Sequence, residues 1–469
     1  MCHPERSEGP GWACGALTRP PRSLATLGMT VALLAAATAR AQSIPDQLIA
    51  RETAASRAYE TLAHLTDDIG PRLSGSPGAA AAVRWTTQRF RAWDIPVVNE
   101  PVRVPHWVRG REEGRLVSHL NQKIVLTALG GSVATPPKGI TADVVEVSSF
   151  DELKQLGDGV KGKIVFYNNP MDMELVRAHR GFEAYEKAVV FRSAGASHAA
   201  EYGALAVVIR SVGSASLRTP HTGAMTYDPK QPKIPAAAMT AEDAMLVDRL
   251  IKKGERVRMQ LILTPRMLPD ADSANVIAEL RGSEKPEEIV LIGGHLDSWD
   301  LGTGAIDDGS GVAMVMETMR LLKEMNLRPR RTIRCVLFMN EENGLRGGRQ
   351  YWANHKNEKH VAAIETDAGA AAPTGFLTTL KGDALAALEQ KTHALASLGA
   401  DHFQTTRETG ADTSFLAEAG VPSFGFVPEP LHYFDYHHTP ADTLDKIDPK
   451  ELAADSAAIA ALTWILANE

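Results

Sequence analysis

Apolar residues at Leu48, Ile49, Ala54, Ala58, Leu62 and Leu65 keep a helical spacing and predict a helix over 46–66. The stretch Ile69-Gly70-Pro71-Arg72-Leu73-Ser74-Gly75-Ser76 breaks that pattern. Alanines with Val83, Trp85, Phe90 and Trp93 then predict a second helix over 78–93, followed by extended segments at Val97-Val98 and Val102-Arg103-Val104. Between 126 and 264 the pattern changes. Short β-type runs (143–147, 163–167, 206–209) alternate there with a small-residue helix around 194–202, without the clustered acids and histidines found later. This stretch reads as an inserted lid or substrate-access domain. From Ala274 onward, strands at 274–278, 287–292, 332–339 and 361–366 alternate with helices at 310–325 and 345–355, and alanine- and leucine-rich helices follow at 384–398 and 450–467. That alternation predicts an α/β fold, a mostly parallel but mixed sheet with helices on both faces.

The expected organisation is a leader over 1–41, the first part of the main domain over 42–125, the insert over 126–264 and the main domain proper over 265–469. The leader rests on a short apolar core, Met29 to Ala37, with Arg19 and Arg22 before it and Ala39-Arg40-Ala41 after it. This is the layout of a signal peptide cleaved after about Ala41, which implies export to the periplasm or the extracellular space. Met29 is a candidate for the true initiator. Cleavage removes Cys2 and Cys14, so Cys335 is the one cysteine of the expected mature chain, and its apolar surroundings mark it as a buried small hydrophobe. A formal charge of −7 gives no electrostatic reason to expect nucleic acid or an anionic membrane as partner, and no run in the mature chain has the ~20 apolar residues of a bilayer span.

Candidate chemistry lies at the ends of the predicted strands. Glu288 to Ile292 is an apolar run that stops at Gly293-Gly294-His295-Leu296-Asp297, and Asp307-Asp308 precedes the next helix. The following strands end in Glu341-Glu342 and Asp367. If these strands are parallel, all of these residues share one rim, where ligands bind in open α/β sheets. Imidazole and carboxylate are zinc ligands, and paired sites about 3.5 to 4 Å apart serve aminopeptidases and phosphatases. Asp297 is placed to hold the second ring nitrogen of His295, as metal-bound histidines require.

Five segments carry a more specific likeness: Gly294-His295-Leu296-Asp297-Ser298, Asp307-Asp308-Gly309-Ser310-Gly311, Asn340 to Gly347, Glu365-Thr366-Asp367 and His438-Thr439-Pro440-Ala441-Asp442-Thr443. Together they resemble the M28 family of di-zinc exopeptidases, and the insert resembles a protease-associated domain. The resemblance implies two zinc ions, with His295 and Asp367 on one, Glu342 and His438 on the other, and Asp307 bridging them. It implies Glu341 as general base, Asp297 as the catalytic support of His295, a cis peptide between Asp307 and Asp308, and a homodimer. Of the adjacent histidines, His438 matches the motif and His437 is left as a wall of the site, while His432 and His402 are surface or pocket residues. The Gly410-Ala411-Asp412 loop and the segment Tyr433 to Tyr436 are expected over the pocket, with Asp412 meeting a substrate amino group and Tyr436 touching substrate. For Asp412 a helix N-cap is the competing assignment.

Other classes fit less well. In Gly302-Thr303-Gly304-Ala305-Ile306-Asp307 a carboxylate stands where a dinucleotide fingerprint needs its third glycine, and no phosphate-loop lysine follows. No G-x-S-x-G elbow is present. The remaining rivals are a glutaminyl-cyclase-like zinc acyltransferase, another metallohydrolase such as a phosphoesterase, and a receptor-like ectodomain without catalysis. The expected substrate is a short peptide or dipeptide.

Overall fold

The computed structural model describes residues 42–469, so the expected signal peptide, Met29, Cys2 and Cys14 lie outside the described residues. Residues 43–469 form one compact unit. Its first strands are β1 (Val97–Val108), β2 (Glu112–Leu116), β3 (Gln122–Ile124), β4 (Leu126–Ala128) and β5 (Ile140–Val147). Then come β6 (Ile164–Tyr167), β7 (Ala206–Arg210), β8 (Ala236–Met239), β9 (Arg258–Leu263) and β10 (Arg266–Leu280). The last are β11 (Lys285–His295), β12 (Arg331–Phe338), β13 (Lys359–Glu365), β14 (Pro373–Thr378), β15 (His402–Thr405) and β16 (Ser423–Pro428).

These strands make two eight-stranded sheets. The larger has the order β1-β10-β12-β11-β13-β16-β14-β15. Its centre is parallel, β12 and β13 both pairing with β11 and β13 with β16, while β1/β10, β10/β12 and β14/β16 are antiparallel. Alternation along the strands explains why both faces are covered. Val276, Val290, Ile292, Ile333, Cys335, Leu337 and Ile364 point into one core, with the buried helices Ser310–Glu324 and Pro449–Asn468. Ile277, Leu291, Val336, Phe338 and Ala363 point into the other, against Tyr351 of helix Arg346–His355 and Leu416. Cys335 is buried and free, and burial pushes its thiol well up, as an inert core cysteine requires.

The second sheet, β3-β2-β9-β5-β6-β7-β8-β4, is parallel from β5 to β8 and antiparallel elsewhere. It begins at Glu112, ahead of residue 126 where the sequence pattern changes. It is carried between β1 and β10, whose inner ends are paired partners, Val108 facing Arg266.

Several elements differ from their expected form. The first helix is divided at Ser56–Arg57 into Ile44–Ala55 and Ala58–Ala63, and continues as a wider turn over His64–Ile69. The helix expected around 194–202 is longer, Gly181–Glu201. The stretch 384–398 is interrupted, α-helical over Asp383–Glu389 and 3-10 over His393–Leu398.

Candidate metal centre

Parallel pairing sets the rim. His295 at the end of β11 stands level with Phe338 at the end of β12, and Gly293 stands level with Glu365 at the end of β13. Residues just beyond these strands, Glu341-Glu342 and Asp367, therefore converge on His295. The close approach needs Gly294, where an added Cβ would come within 2.5 Å of an Asp308 carboxylate oxygen.

His295 is buried and held on three sides. Its backbone N–H donates to Asp308 Oδ2 (3.0 Å), and its Nδ1 lies 3.0 Å from the Asp297 carbonyl oxygen. Its Nε2 is 2.9 Å from Asp307 Oδ1 and 3.4 Å from Asp367 Oδ1. The expected support for the ring thus comes from the main chain of Asp297, whose carboxylate is 3.9 Å from Nδ1. That carboxylate is engaged elsewhere, accepting from the backbone N–H of Asn340 (2.6 Å) and Glu341 (3.1 Å) and from Ser74 Oγ (2.9 Å). It fixes the turn that carries Glu341 and Glu342.

Asp307 lies between the two halves of the site. Its Oδ2 is 3.0 Å from His438 Nε2, which is also 3.0 Å from Glu342 Oε2. Burial opposes its ionisation, but contacts from His295 and His438 outweigh burial and hold the carboxyl well below its ordinary range. The Asp307–Asp308 peptide is cis. Asp308 itself braces the strand end and the next helix, accepting from His295 N and Gly311 N, both at 3.0 Å. His437 stacks on His438 with centroids 3.5 Å apart, and its Nε2 makes the longer contact to Asp307, 3.4 Å. His402 and His432 are exposed.

Two supports carried no role in the sequence. Asp442 accepts the successive N–H groups of Ala305 (2.8 Å), Ile306 (2.7 Å) and Asp307 (3.3 Å), and so shapes the loop that presents Asp307. Burial pushes its carboxyl up to about 7. Its position four residues after His438, inside the same motif, was the available signal. Fully buried Arg72 donates to the carbonyls of Leu296 (2.9 Å), Thr303 (2.6 Å) and Gly304 (2.9 Å), and nothing in a turn-forming stretch announced it.

Glu341 lines a cleft of about 440 Å³ together with Asp307, Glu342, Asp367, His437 and His438. Burial, then the neighbouring Asp367, Glu342 and Asp412, hold its carboxyl well above the ordinary range against the pull of His295. Neither Asp412 nor Tyr436 lines this cleft. Asp412 is 3% exposed, neither of its carboxylate oxygens has a hydrogen-bond partner, and its Oδ1 lies against Gly348. Nor does it cap a helix, since the turn Ser414–Glu418 has Thr413 at its N-cap. Tyr433–Tyr436 is one helical turn; Tyr433 faces the cleft, while the Tyr436 ring has Lys446 Nζ 5.4 Å from its centroid, in a separate hollow.

The donor set fits a metal. Two buried imidazoles and three carboxylates converge, with no lysine or arginine paired to Asp307, Glu342 or Asp367 among the described residues. Burial and mutual repulsion push Glu342 up to about 7 and raise Asp367 as well, so bound cations would relieve a concentrated negative charge. Nitrogen and oxygen ligands of this kind suit zinc.

Comparison with known proteins agrees. Residues 275–463 match the model of peptidase family M28. Human carboxypeptidase Q is 40% identical over 418 residues, covering 88% of this chain and 86% of that protein. The crystal structure of a peptidase M28 precursor from Shewanella amazonensis superposes with a TM-score of 0.87 at 38% identity, covering 91% of this chain and 97% of the other. A zinc aminopeptidase from Bacillus subtilis shares the fold, with a TM-score of 0.64 at 22% identity over 88% of this chain and 95% of its own. The rim geometry and these relatives together show that the chain belongs to peptidase family M28 and is a metallopeptidase.

Proposed function

We propose that the protein is an exported di-zinc exopeptidase that hydrolyses short peptides. The observation that carries this reading is Asp307, whose Oδ1 faces His295 at 2.9 Å and whose Oδ2 faces His438 at 3.0 Å. A carboxylate that turns one oxygen to each half of a site is suited to bridge two ions, and paired sites stabilise both attacking and leaving groups. His295 and Asp367 would hold one zinc, Glu342 and His438 the other.

Zinc there supplies a Lewis acid for the peptide carbonyl and lowers the pKa of water. Glu341 takes the proton of the attacking water and passes it to the leaving amine. It is suited to this because its carboxylate lines the cleft without joining the ion pairs of the ligands, while its backbone is pinned to Asp297. Asp297 acts by holding that turn and, through its carbonyl, the tautomer of His295 that leaves Nε2 free to coordinate.

The segment that carries the second sheet is read as a protease-associated insert that forms part of the substrate entrance, since Phe182, Tyr185 and Arg192 of its helix Gly181–Glu201, with Ala224, reach the cleft. Export rests on residues 1–41, and N-terminal sequencing of the secreted protein tests it.

The primary experiment replaces Glu341 with Gln. Zinc should stay near two per chain while kcat for dipeptides falls about 10²- to 10⁴-fold, the usual worth of a general base. Retained turnover would overturn the assignment of the base, and one zinc or none at saturation would overturn the paired site.

A further inference from the structure

His295 and His438 face opposite oxygens of Asp307 but are supported in different ways. His295 ends β11, and its Nδ1 rests 3.0 Å from the Asp297 carbonyl oxygen, an acceptor of the kind that orients a metal-binding ring. His438 has no such acceptor among the described residues: the group at its Nδ1 is Arg192 Nη1 at 3.4 Å, and a guanidinium only donates. Its backbone is unfavourable as well, with φ at +61° in the left-handed region that residues other than glycine rarely adopt. It follows a single helical turn, Tyr433–Tyr436, and belongs to no strand. What aims its Nε2 at Asp307 and Glu342, 3.0 Å from each, must therefore come from the structure packed around it.

The segment 211–224, between β7 and β8 of the second sheet, supplies that hold. The Ser214 N–H donates to the Phe434 carbonyl (3.1 Å), Ser214 Oγ donates to Asp435 Oδ1 (2.6 Å), and the Thr222 N–H donates to the carbonyl of His438 itself (2.9 Å). Thr222 is anchored in turn, since its Oγ1 donates to the Ala128 carbonyl (3.1 Å) and accepts from Arg109 Nη2 (3.1 Å). His221 stands beside it, 3% exposed, with its own N–H donating to Ser211 Oγ (3.0 Å). Its Nδ1 has no hydrogen-bond partner, and its ring makes a main-chain contact to His437 that favours the protonated form, as a carbonyl acceptor does. Burial nevertheless pushes the ring down to about 3, so it is a neutral imidazole with one N–H to give.

An imidazole buried with one nitrogen unmatched is unfavourable, so an apolar residue would serve better if the position required packing alone. The fold instead makes room for the ring, because a Cβ at Gly213 would come within 2.1 Å of its Cε1. The hold on His437 passes to its neighbour directly, since the His437 and His438 rings stack with centroids 3.5 Å apart.

We propose that His221 is a positioning residue of the metal centre: through the main chain of His437 it holds the His437–His438 pair in the turn that aims His438 Nε2 at its metal. The half of the site formed by His438 and Glu342 then depends on the second sheet, and the half formed by His295 and Asp367 does not. The inference rests on the paired-zinc reading above and adds that the two ions are held by separately supported halves.

The test compares the full chain with His221→Phe, which keeps a ring and removes the N–H. Zinc competition titrations should show one equivalent weakened about 10- to 100-fold, the usual worth of a support behind a metal ligand, with the other within about twofold of the parent. The visible spectrum of the cobalt-loaded protein should change for that equivalent alone. His221→Gln returns an N–H and should recover part of both effects, which a loss of packing would not. Melting temperature in chelator reports whether each variant folds. If His221→Phe does not, Gly213→Ala displaces the ring by crowding and should give the same selective loss. Affinities and cobalt spectrum matching the parent, or two equivalents weakened alike, would overturn the proposal. A parent that saturates with one zinc would instead count against the paired site, and the affinity of that one ion in His221→Phe would still decide the role of His221.

Discussion

Replacing Trp299 with Ala tests whether the second sheet helps to hold the metal site. Trp299 leaves the loop after β11 and buries its indole, 3% exposed, in the second sheet's core with Trp107, Leu126, Ala128 and Leu263. The fit is tight, since a Cβ at Gly130 would come within 1.8 Å of the indole Cη2. The same residue's backbone N–H donates to Glu342 Oε1 (3.1 Å), leaving Oε2 for His438, and the next residue, Asp300, is clamped by both arms of Arg109 at 2.7 and 2.8 Å. Removing a buried indole costs about 3 to 5 kcal/mol. If the loop then loosens, Glu342 loses its fixed orientation, and loss of such support lowers metal affinity about 10- to 100-fold, roughly 1.4 to 2.7 kcal/mol. Denaturant melts in chelator measure the first quantity, and zinc competition titrations of the folded variant measure the second. On the proposed paired site the weakening should fall on one of two zinc equivalents, because Trp299 donates to Glu342 and not to Asp367. Trp299→Phe should recover part of both. A variant that loses stability in chelator yet binds zinc as the parent does would refute the coupling and reduce Trp299 to a core residue.

Asp442→Asn keeps the shape of the acceptor but turns an amide donor towards the N–H of Asp307; zinc affinity should drop about 10- to 100-fold with the fold intact, and a change under twofold in a competition titration would mean that Asp442 does not position the loop. Glu52 offers a pH test remote from the site. It is fully buried, neither carboxylate oxygen has a hydrogen-bond partner, and burial, then Glu317, push its carboxyl up to about 8. A carboxyl whose folded pKa is raised holds its proton longer in the folded chain, so stability should fall as pH rises from about 4.5 to about 8 and level off above. Glu52→Gln should abolish that fall, matching the parent at pH 5 and exceeding it at pH 9 by at most about 3 to 5 kcal/mol, as read from urea midpoints; parallel pH profiles of parent and variant would sink the argument.

The central sheet was legible because β11, β12 and β13 are buried on both faces, which leaves continuous apolar runs that end in polar residues. Those same ends carried His295, Glu341, Glu342 and Asp367. The outer half of β10, from Arg266 to Ser273, was not legible: it pairs only with β1, is largely exposed, and so lacks a periodic apolar signal. Strands β2 and β3 were hidden by their brevity and their charged residues. Within the site, residue types revealed what points into the cleft but not what holds it there. Asp297 illustrates the limit, because its spacing from His295 suggested a carboxylate contact and the main chain makes it. Asp442 and Arg72 act on backbone groups, which no residue pattern displays. Asp412 and Tyr436 lie on the expected segments without lining the cleft: Asp412 is buried against Gly348, and a helical turn carries Tyr436 into a separate hollow.

The pairing of β1 with β10 also bears on how the chain closes on itself. Val108 meets Arg266 and Val97 meets Ala278, so a ribbon at the sheet edge joins residues about 160 to 180 positions apart in sequence. Contacts of that separation bear a large closure entropy, which grows with the logarithm of the intervening length. Between them, however, the chain is folded: β2 and β9 pair side by side, Glu112 facing Leu263, so the two ends of the intervening stretch already emerge as neighbours. Once the second sheet exists, the effective loop between Val108 and Arg266 shrinks to the few residues on either side of the Glu112–Leu263 pair. The ribbon then has the closure entropy of a short hairpin, and stability of the edge of the catalytic sheet becomes conditional on the integrity of the segment it encloses.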